Sequence, residues 1–241
     1  MSKITSKIKS LIFRNSNDNL PMDCYYGKTS YSQCGEDLLV QYVFKLRGIE
    51  KPSYIDIGAN DPYSLSNTAI FYLNGCKGIN IEANPNLIGK FLKERPGDIN
   101  LNIGIGSVEG EFDFYMMDDP TLCSFSKAES EKYESTGLYK VIEIKRILLT
   151  TIQKILEKYT NGIFPDFLSL DAEGMDFEIL KTIDFKENAP KVICVEAADY
   201  SPVGGGARRS ELIEFLVCKD YFEYANTNLN AIMVKKSFWL L

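Results

Sequence analysis

The 241-residue chain predicts an α/β fold: a mixed, mostly parallel sheet with helices on both faces and a C-terminal antiparallel hairpin. Three stretches predict it. In residues 53–65, SYIDIGANDPYSL, a short apolar run (Tyr54, Ile55, Ile57) breaks at Gly58 into a polar turn and leads to a helix-like segment, residues 64–74. A second apolar run, Gly78–Ile81, ends on an acid, Glu82. In residues 166–181, DFLSLDAEGMDFEILK, Phe167, Leu168 and Leu170 form a buried strand that delivers Asp171 to its carboxyl edge. Strand, glycine turn, helix, in that order, is how an open parallel sheet presents a ligand crevice at the carboxyl ends of its strands.

Length and composition narrow the class. With 45% apolar residues and no long disordered-looking tract, the chain can fill one sizeable core. The expected organisation is an N-terminal helix and linker over residues 1–30, then a single domain over residues 31–241. The net charge of −6 argues against a nucleic-acid substrate, because phosphate backbones reward clustered Lys and Arg. A small-molecule or carbohydrate partner fits better. Histidine is absent, and the six cysteines (Cys24, Cys34, Cys76, Cys123, Cys194, Cys218) are scattered without a C-x-x-C pair. That removes most zinc sites and every histidine-based mechanism. The cysteines read as reduced thiols, which fits a cytoplasmic protein. The sequence shows no secretory signal, and its apolar runs fall well short of the ~18 residues of a membrane span.

The elements follow in order. Ile4, Ile8, Leu11 and Ile12 recur at helical spacing while Lys3, Lys7, Lys9 and Arg14 occupy other faces, so residues 1–14 predict a basic amphipathic helix. It has two readings: peripheral contact with a membrane or lipid-linked glycan, or packing on the domain or on a partner chain of an oligomer. Beyond a turn-rich linker, Leu38, Leu39, Tyr42, Val43 and Leu46 mark a helix with Glu36 and Asp37 in its first turn and Gly48 at its close. Gly75 stops the helix over residues 64–74. Glu82, Ala83, Asn84 and Pro85 lead into a helix ending near Arg95. Residues 99–105 alternate apolar and polar and predict the third strand, and residues 111–116 a further one. Residues 117–126, MDDPTLCSFS, read as a loop over the crevice mouth, residues 126–133 as a short helix and residues 139–148 as an extra strand or strand pair. A helix over residues 151–159 precedes the strand to Leu170, and a fifth strand, residues 191–195, ends at Glu196. A helix over residues 210–218 and a hairpin of residues 221–225 and 231–235 close the sheet, leaving residues 238–241 as an apolar tail suited to a subunit contact.

Chemistry concentrates at the strand ends. Glu82, closing the second strand, is placed to accept hydrogen bonds from the two ribose hydroxyls of a nucleoside. A dinucleotide site needs the three glycines of G-x-G-x-x-G so that a pyrophosphate can approach the backbone, and only Gly58 is present. Asp56, Asn60 and Asp61 around it would repel a pyrophosphate but suit a ligand carrying an ammonium and a sulfonium, such as S-adenosylmethionine. The bland reading has Asp56 capping a tight turn and Glu82 starting the next helix. Gly104, bounding the third strand with Gly106, lets a flat ring lie on the backbone and so predicts where adenine stacks. Asp171 and Glu173 at the mouth of one strand are costly unless they bind a hydroxyl, an ammonium or a metal. Their bland reading has Glu173 capping a helix that begins at Gly174 and Asp171 holding a neighbouring loop. With no histidine, a carboxylate, tyrosine, lysine or metal-activated hydroxyl must supply any general base. Asp171 and Glu196, on strands expected to be neighbours, form a candidate pair for Mg2+. Residues 201–209, SPVGGGARR, read as a mobile lid or acceptor loop whose Arg208 and Arg209 grip an anionic acceptor, or as a flexible connector with solvated arginines.

Four separated blocks carry a family resemblance: YSQCGEDLLVQYVF from Tyr31, YIDIGANDPYSLSNTAIFYLNGCKGINIEANPN from Tyr54, INLNIGIGSVEGEFDFYM from Ile99 and DFLSLDAEGMDFEILK from Asp166. They closely resemble the FkbM-type methyltransferases, S-adenosylmethionine-dependent O-methyltransferases often tied to sugars and glycoconjugates, and the resemblance covers roughly residues 31–196. The resemblance implies a class I, Rossmann-like methyltransferase fold. It implies a cofactor site at Gln33, Asp56, Gly58, Asn60, Glu82, Ala83, Asn84, Gly104, Ile105 and Asp171, with Gln33 over the methionine end. Asp171 and Glu173 would then serve a carbohydrate acceptor. It does not require a metal. A non-catalytic nucleoside-binding protein and an NAD-dependent oxidoreductase are the rival readings of the same frame, the second disfavoured by the missing glycines.

Overall fold

A computed structural model describes residues 28–198 and 206–240. The expected basic helix of residues 1–14 and the first part of the glycine loop, residues 201–205, lie outside the described residues. The chain enters through helix α1 (Glu36–Leu46), which lays Val40, Val43 and Phe44 on the sheet. Both acids of its first turn are buried and partnered: Asp37 accepts hydrogen bonds from the Ser30 and Ser32 hydroxyls and the Tyr31 N–H. Glu36 accepts from Thr227 Oγ1 at 2.7 Å and Asn230 Nδ2 at 3.0 Å, pinning the entry of the chain to its last hairpin.

Then come β1 (Tyr54–Ile57), α2 (Ala69–Leu73), β2 (Gly78–Ile81), α3 (Ile88–Glu94), β3 (Ile99–Leu101), β4 (Gly104–Ile105) and β5 (Gly110–Met117). They are followed by α4 (Lys127–Ser135), β6 (Val141–Thr150), α5 (Ile152–Thr160), β7 (Phe167–Leu170), α6 (Asp176–Lys181) and β8 (Val192–Glu196). The chain finishes with α7 (Ser210–Cys218), β9 (Tyr221–Asn226), β10 (Asn230–Lys235) and α8 (Lys236–Trp239). The main sheet has the order β3-β2-β1-β7-β8-β10-β9, and β10 runs antiparallel to both its neighbours. Chain direction across the sheet reverses between β1 and β7, the switch point where open α/β sheets bind ligands.

Strand alternation sorts the core into two layers. Ile55, Ile57, Leu168, Leu170, Ile193 and Val195 face α5, α6 and α7, while Tyr54, Phe167, Val192 and Cys194 face α1 and α2. Both faces of these parallel strands are covered, so they read as continuous apolar runs. Asp56 sits on the second face, in register with Asn80 and Ser169. Beside it Arg95, fully buried, ion-pairs with Asp98 at 2.8 Å and donates to the Tyr54 hydroxyl and to Thr68 Oγ1, which in turn donates to Asp56 at 2.6 Å. Each charge in this chain of contacts has a partner, the condition under which buried ions are tolerated.

Several expectations are corrected. The helix after β1 covers only Ala69–Leu73, because the chain first turns through a left-handed Leu65, φ 57°. The predicted third strand is two: β3 pairs with β2, but Asn102 turns the chain away by donating to the carbonyls of Glu82 and Ala83, and β4 joins a separate three-stranded sheet, β4-β6-β5. Apart from these corrections, Phe238 of the apolar tail packs against Phe44 and Trp239 against Phe222 and Tyr224, while Leu240 is exposed. No helix among the described residues is long and apolar enough to cross a membrane.

Candidate functional site

Two adjoining cavities open at the switch point. The smaller, about 550 Å³, has largely apolar walls from Ile57, Ile81, Ile105, Phe114, Phe125 and Met175, with Glu82 and Ala83 among them. The larger cleft, about 1320 Å³, is polar and takes in Gln33, Ser66, Asn67, Ser169, Glu196 and Asn230. Gly58, Asn60, Thr121, Asp171 and Glu173 line both and so mark their junction.

The turn after β1 builds one side of that junction. Gly58 and Ala59 hang their N–H groups on the Ile81 carbonyl at 3.0 and 3.1 Å. Gly58 has φ +78°, and a Cβ there would lie 1.8 Å from the Asp171 carbonyl oxygen. Only glycine fits where these two strand ends converge. Asn60, also left-handed at φ 54°, donates its N–H to Glu82 Oε2 at 2.8 Å, and the Asn84 N–H reaches Glu82 Oε1 at 2.6 Å. Each oxygen of an ionised carboxylate accepts more than one hydrogen bond, so Glu82 is braced yet keeps accepting capacity. Burial pushes its pKa up to about 7, against these two backbone donors.

Loop and strand ends build the other side. The Asp171 N–H bonds the Ile57 carbonyl at 3.0 Å. Glu173, at a left-handed φ of 45°, gives its carbonyl to Ser124 Oγ at 2.6 Å and Oε2 to the Tyr133 hydroxyl at 2.5 Å. Arg209 lies within 2.8 Å of Glu196 and 3.1 Å of Asp176, whose other oxygen accepts from the Ala172 N–H. Burial, then the neighbouring carboxylates, drive Asp171, Glu173 and Glu196 above the usual carboxylate range, with Arg209 opposing. Protein encloses Asp171 on most sides, yet its side chain keeps an exposed surface toward the cleft. Water in the open cleft tempers its rise, and a ligand that filled the cleft would restore it.

Most of the expected residues therefore meet. Gln33, Asp56, Gly58, Asn60, Glu82, Ala83, Gly104, Ile105, Asp171, Glu173 and Glu196 line one cavity or both. Asn84 does not: it is buried, and its side chain accepts from the Asn86 N–H and contacts Cys123. Asp56 forms part of a wall, but strand alternation turns it toward α2, where Thr68 holds it. Gly104 lines the smaller cavity with its backbone, but Phe125 and Leu149 already crowd the place of its missing Cβ at 2.4 and 2.5 Å. The flat ring there is the protein's own. The α6 helix starts at Asp176 rather than Gly174, so Glu173 is not its cap. Both arginines have carboxylate partners, the half-exposed Arg208 with Glu223 and Arg209 with Asp176 and Glu196. Among the described residues, no group of three or more His, Cys, Asp or Glu is placed to hold a metal ion, and Glu196 faces Arg209. Phe125, Tyr133, Met175 and Asn230 escaped the sequence reading; Phe125, in the loop expected over the crevice, carried the one usable signal, an aromatic beside a glycine-bounded strand.

The buried carboxylates make a pH prediction. A carboxyl whose folded pKa lies above its unfolded value stabilises the fold below the unfolded pKa, and that contribution is lost as pH rises through the folded one. For Glu82, rising from 4.5 to about 7, the loss approaches ~3 kcal/mol at 1.36 kcal/mol per unit. Asp166 and Glu36, lowered by their partners, keep their contribution down to acid pH. Calorimetric melting of the ligand-free protein should therefore peak between about pH 5 and 6 and fall by pH 8; a melting temperature that climbed over that interval would contradict the assignment.

The seven-stranded order with one antiparallel strand, and a crevice at the switch point, define a class I, Rossmann-like methyltransferase fold. Residues 56–224 match the family described as Methyltransferase FkbM domain, and the chain belongs to that family. Its methyl donor is accordingly S-adenosylmethionine. Among solved structures, the chain is similar to a precorrin-6y C5,15-methyltransferase from Geobacter metallireducens GS-15, at 13% identity and TM-score 0.40 over 89% of this chain and 94% of that one. No curated protein matches the chain. The residues present fit the donor: a cavity with largely apolar walls, a braced Glu82 with spare accepting capacity, and a Gly58 turn with no side chain in the way.

Proposed function

We propose that this enzyme methylates a hydroxyl oxygen on a sugar of a polysaccharide or other glycoconjugate. The observation that carries the reading is the pair Asp171 and Glu173 at the junction of an apolar cavity and a polar cleft. When bound, S-adenosylmethionine supplies an electrophilic methyl group on a sulfonium. Glu82 would accept from the ribose hydroxyls, Phe125, Ile105 and Met175 would flank the base, and Gln33 and Asn67 would lie toward the methionine end. Asp171 and Glu173 would orient the acceptor hydroxyl and take its proton; their raised pKa values bring them nearer the working pH of a general base. The cleft is rich in carboxylates and no arginine lines it among the described residues, Arg209 being paired with Glu196 at its wall, so a neutral polyol suits it better than an anionic sugar.

Replacing Asp171 by Asn should leave S-adenosylmethionine binding nearly intact while cutting methyl transfer by about a hundredfold, within the usual range for a general acid–base group. Transfer of labelled methyl to a panel of neutral oligosaccharides, followed by linkage analysis, is the measurement. Label found on nitrogen, or an Asp171→Asn variant as active as wild type, would overturn the reading.

A further inference from the structure

We propose that Tyr133 is a positioning residue for the transfer: its phenol holds Oε2 of Glu173, leaving Oε1 to receive the proton of the acceptor hydroxyl. The proposal rests on the oxygen-methylation reading above and adds a residue on α4 that touches neither cavity.

The geometry converges on Glu173 from one side. Tyr133 is 1% exposed, packed with Met117 and Leu122 and edge-on to Tyr139. Its hydroxyl reaches Glu173 Oε2 at 2.5 Å across 40 residues of sequence. Ser124, in the loop before α4, holds the Glu173 carbonyl at 2.6 Å. Gly174, at φ +90°, lies so close to α4 that a Cβ would meet Glu129 Cγ at 2.6 Å. A left-handed, non-glycine Glu173 is costly unless its surroundings impose it, and these contacts do. Oε1, by contrast, accepts no hydrogen bond from any described residue, while Glu173 lines both cavities.

The charged and titratable groups around Glu173 are Asp171 at the end of β7, Asp176 on α6, Glu196 on β8, Arg209 before α7, Tyr133 and Glu129 on α4, and the Cys123 thiol in the loop before it. The carboxylates disfavour its ionised form; Arg209 and the phenol favour it. In the step itself the acceptor hydroxyl gives its proton to Oε1 as its oxygen bonds the methyl carbon. The electron pair of the broken carbon–sulfur bond stays on sulfur, and the sulfonium becomes a thioether.

The test is a pH titration by NMR of the full chain, free of donor, carrying carboxyl-13C glutamate, with the Glu173 resonance assigned by its loss in Glu173→Gln. Tyr133→Phe keeps the ring and removes the donor. A hydrogen bond to a charged acceptor is worth ~1.5–3 kcal/mol, so the Glu173 midpoint should rise by about one to two units. Incorporation of 3-fluorotyrosine, a stronger donor of nearly the same shape, should move the midpoint down when tyrosines other than Tyr133 are left natural. A midpoint unchanged in both proteins assigns Tyr133 a purely structural part and overturns the proposal; if the Phe variant fails to fold, the fluorotyrosine protein alone decides. Calorimetry with S-adenosylmethionine separates the two failures. A wild type that binds the donor while the midpoint stays fixed sinks only this inference, whereas a wild type that does not bind it removes the transfer reading and the inference together.

Discussion

Gly58→Ala is expected to lower stability by at least about 3 kcal/mol and to abolish donor binding. The left-handed backbone alone costs an alanine ~1–2 kcal/mol. The larger effect is collision: the new methyl would sit 1.8 Å from the Asp171 carbonyl oxygen, and neither partner is a flexible side chain that can swing aside. Both belong to main chain fixed by hydrogen bonds, Gly58 N–H to the Ile81 carbonyl and Asp171 N–H to the Ile57 carbonyl. Relief therefore requires β1 and β7 to separate at the point where the cavities meet. For a chain of this size ~3 kcal/mol corresponds to a fall in melting temperature of roughly 6–12 °C. A variant that melted with wild type and bound the donor normally would show that the strand ends do not converge as described.

Glu82→Ala is expected to weaken S-adenosylmethionine binding by about a hundredfold or more, since hydrogen bonds to a charged group are worth ~1.5–3 kcal/mol each. The loss would have two sources: the acceptor for the ribose hydroxyls, and the brace that ties the Asn60 and Asn84 N–H groups into facing turns. Titration calorimetry at pH 8 measures it, and unchanged affinity would refute the ribose assignment. The wild type should also bind more weakly below pH 7, because a growing fraction of Glu82 is then protonated and must lose that proton to accept from the ribose.

Much of this site was legible because its parts lie where a strand stops. Gly58, Glu82 and Asp171 each follow a four-residue apolar strand, and the sheet order brings those three ends together. Asp56 was legible in principle as well. Lying between Ile55 and Ile57, it must point to the opposite layer from them, and that layer belongs to α1 and α2. What the sequence hid was interrupted pattern and distant partnership. The alternation through residues 99–105 continues across Asn102, so nothing in the letters reveals that its amide pulls the chain out of the sheet. Phe125 against Gly104, Tyr133 against Glu173 and Arg209 against Glu196 join segments tens of residues apart or set on different elements, and each depends on where the β5–β6 arm or the segment before α7 comes to rest. A glycine whose vacancy is filled by the protein's own ring looks, in sequence, like one kept vacant for a ligand.

The strand β10 has a consequence for biogenesis. It is threaded between β8 and β9, and its first residue, Asn230, both lines the polar cleft and binds Glu36 on the opening helix, 194 positions earlier. During synthesis on the ribosome, every other strand of the sheet is made before this one. The nascent polypeptide thus carries an unclosed sheet edge and an incomplete cleft until its closing hairpin emerges, and such late, long-range closure makes for slow maturation. Competence to bind ligand should arise abruptly with that final hairpin, rather than accumulate as the chain lengthens.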